Sequence, residues 1–295
     1  TNIFQMIITL NEKEERKADK SLYSYQKGAI DKIFDSFENS REDYHLLYQL
    51  PTGGGKTVIF SEIVRQYLSN HNKKVLVMTH RIELCKQTSK VLSEFGVVNK
   101  IIDSKANLDD QSKYSCFVAM VETLNNRLND GKLDISGIGL VIIDEAHYNS
   151  FTKLFKFFSN SFILGVTATP LSSNIELPMT DNYDELIVGE SIQDLIKNEF
   201  LASANMYSFN VGLTSLIIGA NGDYTVKSSE DLYTNNDMLS KLLMSYEEKC
   251  KGLKTLIFNN GINTSLIVYD MFKTAGYDVA HSDNTASKKE RARIL

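Results

Sequence analysis

The chain has 295 residues, 42% of them hydrophobic and 23% charged, and a formal net charge of −5. Its length allows one large domain or two of ordinary size, and its composition is that of a globular protein with a real core. The acidic balance excludes a protein that coats nucleic acid through bulk positive charge, although a basic cleft on an acidic body is compatible with it.

The segment from Ile3 to Leu10 is apolar but short, broken by Gln5 and Thr9, and has no basic flank or cleavage site, so it does not read as a signal peptide. No later stretch approaches membrane-spanning length. The mixed-sign run Glu12 to Lys20 reads as a solvated turn or helix face. From about residue 22, helix and strand signals alternate. Ser21 to Phe37 predicts a helix, with Ile30, Ile33, Phe34 and Phe37 on one side, and Tyr44 to Leu50 predicts a strand. A glycine loop follows, then a helix carrying Ile59, Ile63, Val64, Tyr67 and Leu68 at helical spacing. Lys74 to Met78 predicts a strand, and Arg81 to Phe95 a helix ended by Gly96. Strands are expected at Val97 to Ile102 and Cys116 to Met120, with a short helix at Val121 to Leu128.

Gly139 to Ile143 and Phe162 to Val166 are near-continuous apolar runs, as strands covered on both faces require. This alternation implies an α/β protein: a parallel sheet with helices on both faces, whose ligands bind beyond the carboxyl ends of the strands. Leu171 to Tyr183 is looser, and Ile192 to Asn198 predicts a helix. Asn205 to Val211 reads as a strand, and Leu213 to Asp237 as polar chain with the turn signal Asn221-Gly222-Asp223. The alternation then resumes with helix Met238 to Cys250, strand Thr255 to Phe258, helix Asn263 to Ala275 stopped by Gly276, and strand Tyr277 to Ala280. Ser287 and Glu290 form a capping box for a last helix, whose Lys288, Lys289, Arg291 and Arg293 read as a charged helix face.

Cys85, Cys116 and Cys250 are odd in number and form no CxxC pair, which points to reduced thiols in a cytosol-like compartment. The five histidines are equally scattered and argue against a structural metal.

Two segments carry chemistry. In Pro51-Thr52-Gly53-Gly54-Gly55-Lys56-Thr57, the glycines let successive N–H groups converge on a phosphate, and the following helix N-terminus adds partial positive charge. Lys56 would reach the β- and γ-phosphates and the Thr57 hydroxyl would bind Mg²⁺. The strict GxxxxGK[ST] spacing would put glycine at position 50, where this chain has Leu50. At the end of the run Leu140 to Ile143 stands Asp144-Glu145-Ala146-His147. Asp144 would hold the magnesium and Glu145 would orient and deprotonate the attacking water. Hydrolysis of ATP needs these two features at neighbouring strand ends.

In order along the chain, these segments resemble the motifs of a superfamily 2 DEAD/DEAH-type helicase or translocase. Tyr25-Gln26 is similar to the adenine-reading glutamine, with Tyr23 where a stacking arginine is common. Pro51 to Thr57 resembles motif I, Thr79-His80-Arg81-Ile82-Glu83-Leu84 motif Ia, and Val121-Glu122-Thr123-Leu124 the Ib region. Asp144 to His147, the DEAH letters, resembles motif II, and Thr167-Ala168-Thr169-Pro170 motif III. Thr255 to Asn259 resembles the opening of a second RecA-like domain. The form of these segments is closest to the branch of type III restriction translocases, nucleotide-excision-repair helicases and phage recombination helicases, which acts mainly on double-stranded and branched DNA.

The resemblance implies an N-terminal extension (1–21), a RecA-like ATP-binding domain (22–203), and a linker with an incomplete second RecA-like domain (204–295). It implies ATP and Mg²⁺ as cofactors. Tyr23, Gln26, Thr52, Gly53, Gly54, Gly55, Lys56 and Thr57 would hold the nucleotide, with Thr57 and Asp144 at the metal. Lys56, Asp144, Glu145 and His147 would be catalytic; Thr79, Arg81, Thr123 and Asn259 would contact nucleic acid; Thr167 and Thr169 would couple phosphate state to domain movement. His80 reads as a structural neighbour. The partner would be nucleic acid, DNA before RNA, with no membrane, in a bacterial or phage-infected cytosol.

The family's late QxxGRxxR motif, which supplies arginines worth ~10³–10⁵ in rate, does not occur. The expectation is therefore a fragment, or half of a split enzyme completed by the rest of the second domain, that binds Mg-ATP but turns it over poorly. A competing reading is an ATP-gated nucleic-acid clamp or sensor without strand separation. A third is an unrelated P-loop enzyme such as a small-molecule kinase, which the motif Ia and motif III segments disfavour.

Overall fold

The computed structural model describes residues 7–8, 21–103, 113–131, 133, 137–172, 176–209, 211–220, 222–283 and 285–294. The charged run 12–20, most of the apolar start and Asn221 of the turn signal lie outside the described residues, as do the side chains of Lys288 and Lys289. Two compact units divide the chain: residues 19–202, and residues 1–18 together with 203–295.

In chain order the described elements begin with β1 (Ile7–Ile8), α1 (Ser24–Glu38), β2 (His45–Gln49), α2 (Lys56–Asn70), β3 (Lys74–Thr79) and α3 (Ile82–Glu94). Next come β4 (Asn99–Ile102), β5 (Cys116–Met120), α4 (Val121–Asn129), β6 (Ile138–Asp144), a 3₁₀ helix (Asn149–Phe157) and β7 (Phe162–Thr167). The last are β8 (Glu185–Val188), α5 (Ile192–Lys197), α6 (Val226–Tyr233), α7 (Asn236–Lys249), β9 (Thr255–Leu256), α8 (Ile262–Thr274) and α9 (Lys288–Ile294).

The unit of residues 19–202 is an α/β layer structure. Its seven strands lie in the order β4-β5-β3-β6-β7-β2-β8, and every neighbouring pair is parallel. Both faces of the sheet are covered, because side chains alternate along each strand. Leu140 and Ile142 of β6 point to the side where Ile30, Ile33, Ile59, Phe60 and Ile63 of α1 and α2 pack. Val141 and Ile143 point to the other side, against Leu124 of α4 and Phe151, Leu154 and Phe158 on and just after the 3₁₀ helix. Each fully buried aliphatic side chain contributes roughly 1.5–3 kcal/mol, so the centre of this sheet is a stiff platform. Helix α3 ends in a Schellman arrangement: Gly96 has φ 75, its N–H donates to Ser93 O, and Val97 N–H donates to Leu92 O.

In the other unit, β9 pairs antiparallel with β1, Ile7 opposite Leu256 and Ile8 opposite Thr255. Residues 7–8 are thus tied to the segment around 255. Helix α8 ends as α3 does, with Gly276 at φ 86 and Tyr277 N–H donating to Phe272 O. A small cluster of Leu232, Tyr233 and Met238 joins α6 to the start of α7. The strands expected at 205–211 and 277–280 are irregular over their described residues. Neither is paired with a strand among the described residues, and without a partner an extended segment has no ladder to join. The β9 strand is shorter than expected for the same reason: only the two residues facing β1 are paired, and Phe258 beyond them is 64% exposed.

Among the described residues, the elements without a predicted counterpart include β8, α6 and the 3₁₀ helix at Asn149–Phe157. The four-residue β8 is an edge strand with Leu186 and Val188 outward, so it shows no apolar run. Helix α6 buries Ser228 and Ser229 beside Leu232 and Tyr233, which blurs its periodicity, although Thr225 caps it by accepting from Ser228 N–H. The 3₁₀ helix did carry a signal in Phe151, Leu154 and Phe158.

Candidate active site

The glycine loop leaves β2 at the carboxyl edge of the sheet. Leu50 follows β2 directly and continues its bonding to β7: its N–H donates to Thr167 O at 3.0 Å and its side chain is fully buried. Its side chain lies under Gly54, where a Cβ would come within 2.8 Å of Leu50 Cγ. The chain departs from the strict glycine pattern here because residue 50 packs the floor of the loop. Gly53 and Gly55 adopt φ 85 and 86, a region that costs other residues roughly 1–2 kcal/mol. Gly55 is also the N-cap of the 15-residue α2, so the loop runs directly into a helix N-terminus. Lys56 Nζ donates to Leu50 O at 3.4 Å, folding the ammonium back over the loop, and Thr57 follows in the first helical turn.

Asp144 closes β6, and the turn after it is tight. Glu145 has φ 55, a left-handed conformation of the kind that gathers at functional sites. Its N–H donates to Asp144 Oδ1 at 3.0 Å, and Ala146 N–H donates to Val166 O. Asp144 is 7% exposed, and its pKa is pushed up to about 6, first by burial and then by the Glu145 charge; Lys56 and the Glu145 N–H act in the opposite direction. That opposing pull puts the lysine within electrostatic reach of the carboxylate.

The two features are not on adjacent strands, as the sequence reading had them: β7 runs between β6 and β2. Neighbouring strands are ~4.8 Å apart, so the arrangement leaves roughly 10 Å between the loop and the acidic turn. The intervening strand places Thr167 in the gap. Its hydroxyl donates to Thr169 O at 3.0 Å and accepts from Thr169 N–H at 3.1 Å. Because that proton is committed, His147 Nδ1, 3.0 Å away, is the donor in their contact. The same Nδ1 lies 3.4 Å from Glu145 Oε2. Lys56, Asp144, Glu145, His147, Thr167 and Thr169 therefore gather at one edge of one sheet.

The residue set fits a triphosphate with a divalent cation. A glycine nest at a helix N-terminus and a lysine stand opposite two successive carboxylates, one buried at a cost that a cation would relieve.

Gln26 is 4% exposed; its Oε1 accepts from Tyr23 N–H at 3.0 Å, and its Nε2 occupies the space where a Gly55 side chain would begin. The Tyr25 hydroxyl donates to Gly54 O at 2.7 Å. Tyr23 is 52% exposed and packs on Phe200, which also touches Tyr25, with ring centroids 4.6 and 4.9 Å apart. Phe200 had no sequence signal, since only folding brings it beside α1. Thr52 is exposed at the outside of the loop.

Thr79 is fully buried, and its hydroxyl donates to Arg81 O at 3.1 Å. It therefore shapes the turn that presents the exposed Arg81, and its own side chain does not reach the surface. Thr123 is half-buried in the first turn of α4. Asn259 belongs to the other unit, where its Oδ1 is buried with no hydrogen-bond partner among the described residues.

No helix among the described residues is long and apolar enough to cross a membrane. Residues 19–172 match the family described as type III restriction enzyme, res subunit (ResIII). The 51.5 kDa protein of a Lactococcus phage is 26% identical over 84% of this chain and 51% of its own length. The provisionally named ATP-dependent helicase IRC3 of Saccharomyces cerevisiae is 28% identical over 93% of this chain and 42% of its own length. The chain thus spans about half the length, or less, of these curated relatives. The solved Pyrococcus furiosus Hef helicase domain is similar over 85% of this chain and 52% of that one, with 20% identity and a TM-score of 0.48.

Proposed function

The chain belongs to the ResIII family, a branch of the superfamily 2 helicases and translocases, and from that premise we propose that it is the ATP-hydrolysing core of a motor that moves along DNA. One observation carries the proposal: a glycine nest with its lysine and a buried acidic strand end share one sheet edge, with Lys56 pulling on Asp144.

Gly53 and Gly55 would bind phosphate oxygens through backbone N–H groups, while Gly54 N–H donates to Pro51 O and closes the loop. Thr52 stands at the rim, and Lys56 would swing from Leu50 O to the terminal phosphates. Thr57 and Asp144 would hold the metal ion. Magnesium, when bound with ATP, supplies neutralisation of the phosphate charge. Glu145 orients the attacking water and takes its proton. His147 donates to Thr167 and touches Glu145, so it fixes the base and reports its state to Thr167 and Thr169. Gln26 and Tyr23 flank the base of the nucleotide. Arg81 and Thr123 meet the sugar–phosphate backbone of the strand, Asn259 is a nucleic-acid contact of its own unit, and sequence is not read. Residues 204–295 act as part of a second RecA-like domain. The unbridged Cys85, Cys116 and Cys250 support a reducing compartment, and the phage relative supports the cytosol of a phage-infected bacterium.

The test is ATP turnover of the full chain with single-stranded, duplex and branched DNA and matching RNA. DNA should stimulate turnover more than RNA, and Glu145→Gln should lower the stimulated rate by about 10²–10⁴ while ATP still binds. Turnover indifferent to every nucleic acid would refute the motor, and an unchanged Glu145→Gln rate would refute the assigned base.

A further inference from the structure

His80 and His147 come from different strand ends, yet one ring stands between them. The centroid of Tyr148 is 4.4 Å from that of His80 and 4.3 Å from that of His147, each pair tilted by 37°. His80 leads directly into Arg81. His147 leads, through contacts of 3.0 and 3.4 Å, to Thr167 and Glu145. The three rings thus join the turn that presents Arg81 to the turn that carries the acidic pair.

Several features make this join stiff. His80 Nδ1 is buried without a hydrogen-bond partner among the described residues, so on that side packing alone sets the position of the imidazole. Burial lowers the His80 pKa, the charges of Arg81 and His147 act the same way, and Glu145 opposes them; His80 therefore packs as a neutral ring. Tyr148 N–H donates to Glu145 O at 3.2 Å, tying the backbone of the wedge to the strained residue itself. The 3₁₀ helix that starts after Tyr148 is held to the start of α4 by Lys153, whose Nζ lies 2.7 Å from Glu122 Oε1. Tyr148 is 36% exposed on its outer edge, so its hold on the two imidazoles comes from the ring contacts and from its backbone bond to Glu145, and a displacement of one imidazole reaches the other through that ring.

The geometry points to Tyr148 as a positioning residue, an aromatic wedge between His80 and His147 through which occupancy of the Arg81 turn sets the placement of Glu145. This rests on the motor reading above. Tyr148 touches neither nucleotide nor nucleic acid in that reading; its effect is on how strongly one site stimulates the other.

The experiment compares wild type, Tyr148→Phe and Tyr148→Ala in the full chain. ATP turnover is measured with and without single-stranded DNA, DNA affinity by fluorescence anisotropy, and histidine resonances by ¹⁵N NMR during titration with Mg–AMP-PNP. Tyr148→Phe keeps the ring and should behave as wild type. Tyr148→Ala should keep basal turnover and DNA affinity within about twofold while DNA stimulation falls about fivefold or more, the lower end of usual coupling between sites. In the NMR titration, nucleotide should move His147 and His80 together in wild type and Tyr148→Phe, but His147 alone in Tyr148→Ala.

Full stimulation in Tyr148→Ala, or proportional loss of basal and stimulated turnover, overturns the wedge. So does a silent His80 in wild type that binds nucleotide. If no nucleic acid stimulates wild type while the NMR pattern holds, the motor reading falls and the mechanical link stands; if nucleotide does not bind, both fall.

Discussion

The two units of this chain are stabilised in different ways. In residues 19–202, strands such as Leu140–Ile143 are buried on both faces, and the sheet presents its carboxyl edge as a fixed line of backbone. In the unit of residues 1–18 and 203–295, the described elements are helices and one two-stranded ribbon, and large apolar side chains such as Met244, Phe258 and Leu266 are 66%, 64% and 43% exposed. The difference explains where the candidate site sits. A lysine, two carboxylates and a histidine can be held in register only where the strand ends carrying them cannot move independently.

Substitution in the two regions should separate them sharply. Ile142→Ala empties the centre of the doubly covered sheet and should cost about 2–5 kcal/mol, whereas Leu266→Ala on α8 should stay within about 0.5 kcal/mol. Denaturant titration of both variants checks this, and similar costs would mean that the units are equally packed. The next effect is electrostatic and belongs to the platform. The Asp144 pKa, about 6 in the fold, lies above the ordinary aspartate value of 3.8, so its contribution to stability is present below that value and is lost as pH rises through 6. In chelator, Asp144→Asn should match wild type near pH 4 and be more stable above pH 6 by up to ~3 kcal/mol. Thermal unfolding across that range measures it, and a gap that narrows with rising pH would contradict the assigned burial cost. Smaller again is Gly55→Ala, which combines φ 86 with a Cβ 2.6 Å from Gln26 Nε2. A loss of about 1–2 kcal/mol is expected, and a stability unchanged from wild type would show that the loop is not held in this conformation.

The same contrast governs how far the sequence could be read. The strands of the sheet were legible because burial on both faces forces unbroken apolar runs, and the ends of α3 and α8 because Gly96 and Gly276 take a conformation that other residues resist. The edge strand β8 was not, since Leu186 and Val188 face outward. The lateral order of strands, with β7 inserted between the loop and the acidic turn, leaves no mark in chain order. In the second unit, extended segments were expected at 205–211 and 277–280 on local pattern, but a strand is defined by its neighbour. At the candidate site, the lysine, the glycines and the acidic pair stood out because phosphate and metal chemistry dictates those residue types. The contact of Tyr148 with His80 did not, because it joins two strand ends that lie far apart in sequence.

The most direct measurement is a double-mutant cycle on Mg-ATP affinity with Lys56→Ala, Asp144→Asn and the pair, each titrated by calorimetry. If the loop and the acidic turn grip one magnesium–nucleotide, the two losses should be non-additive by about 0.5–3 kcal/mol. Losses that add without interaction, or a Lys56→Ala protein that binds Mg-ATP like wild type, would contradict a single shared site.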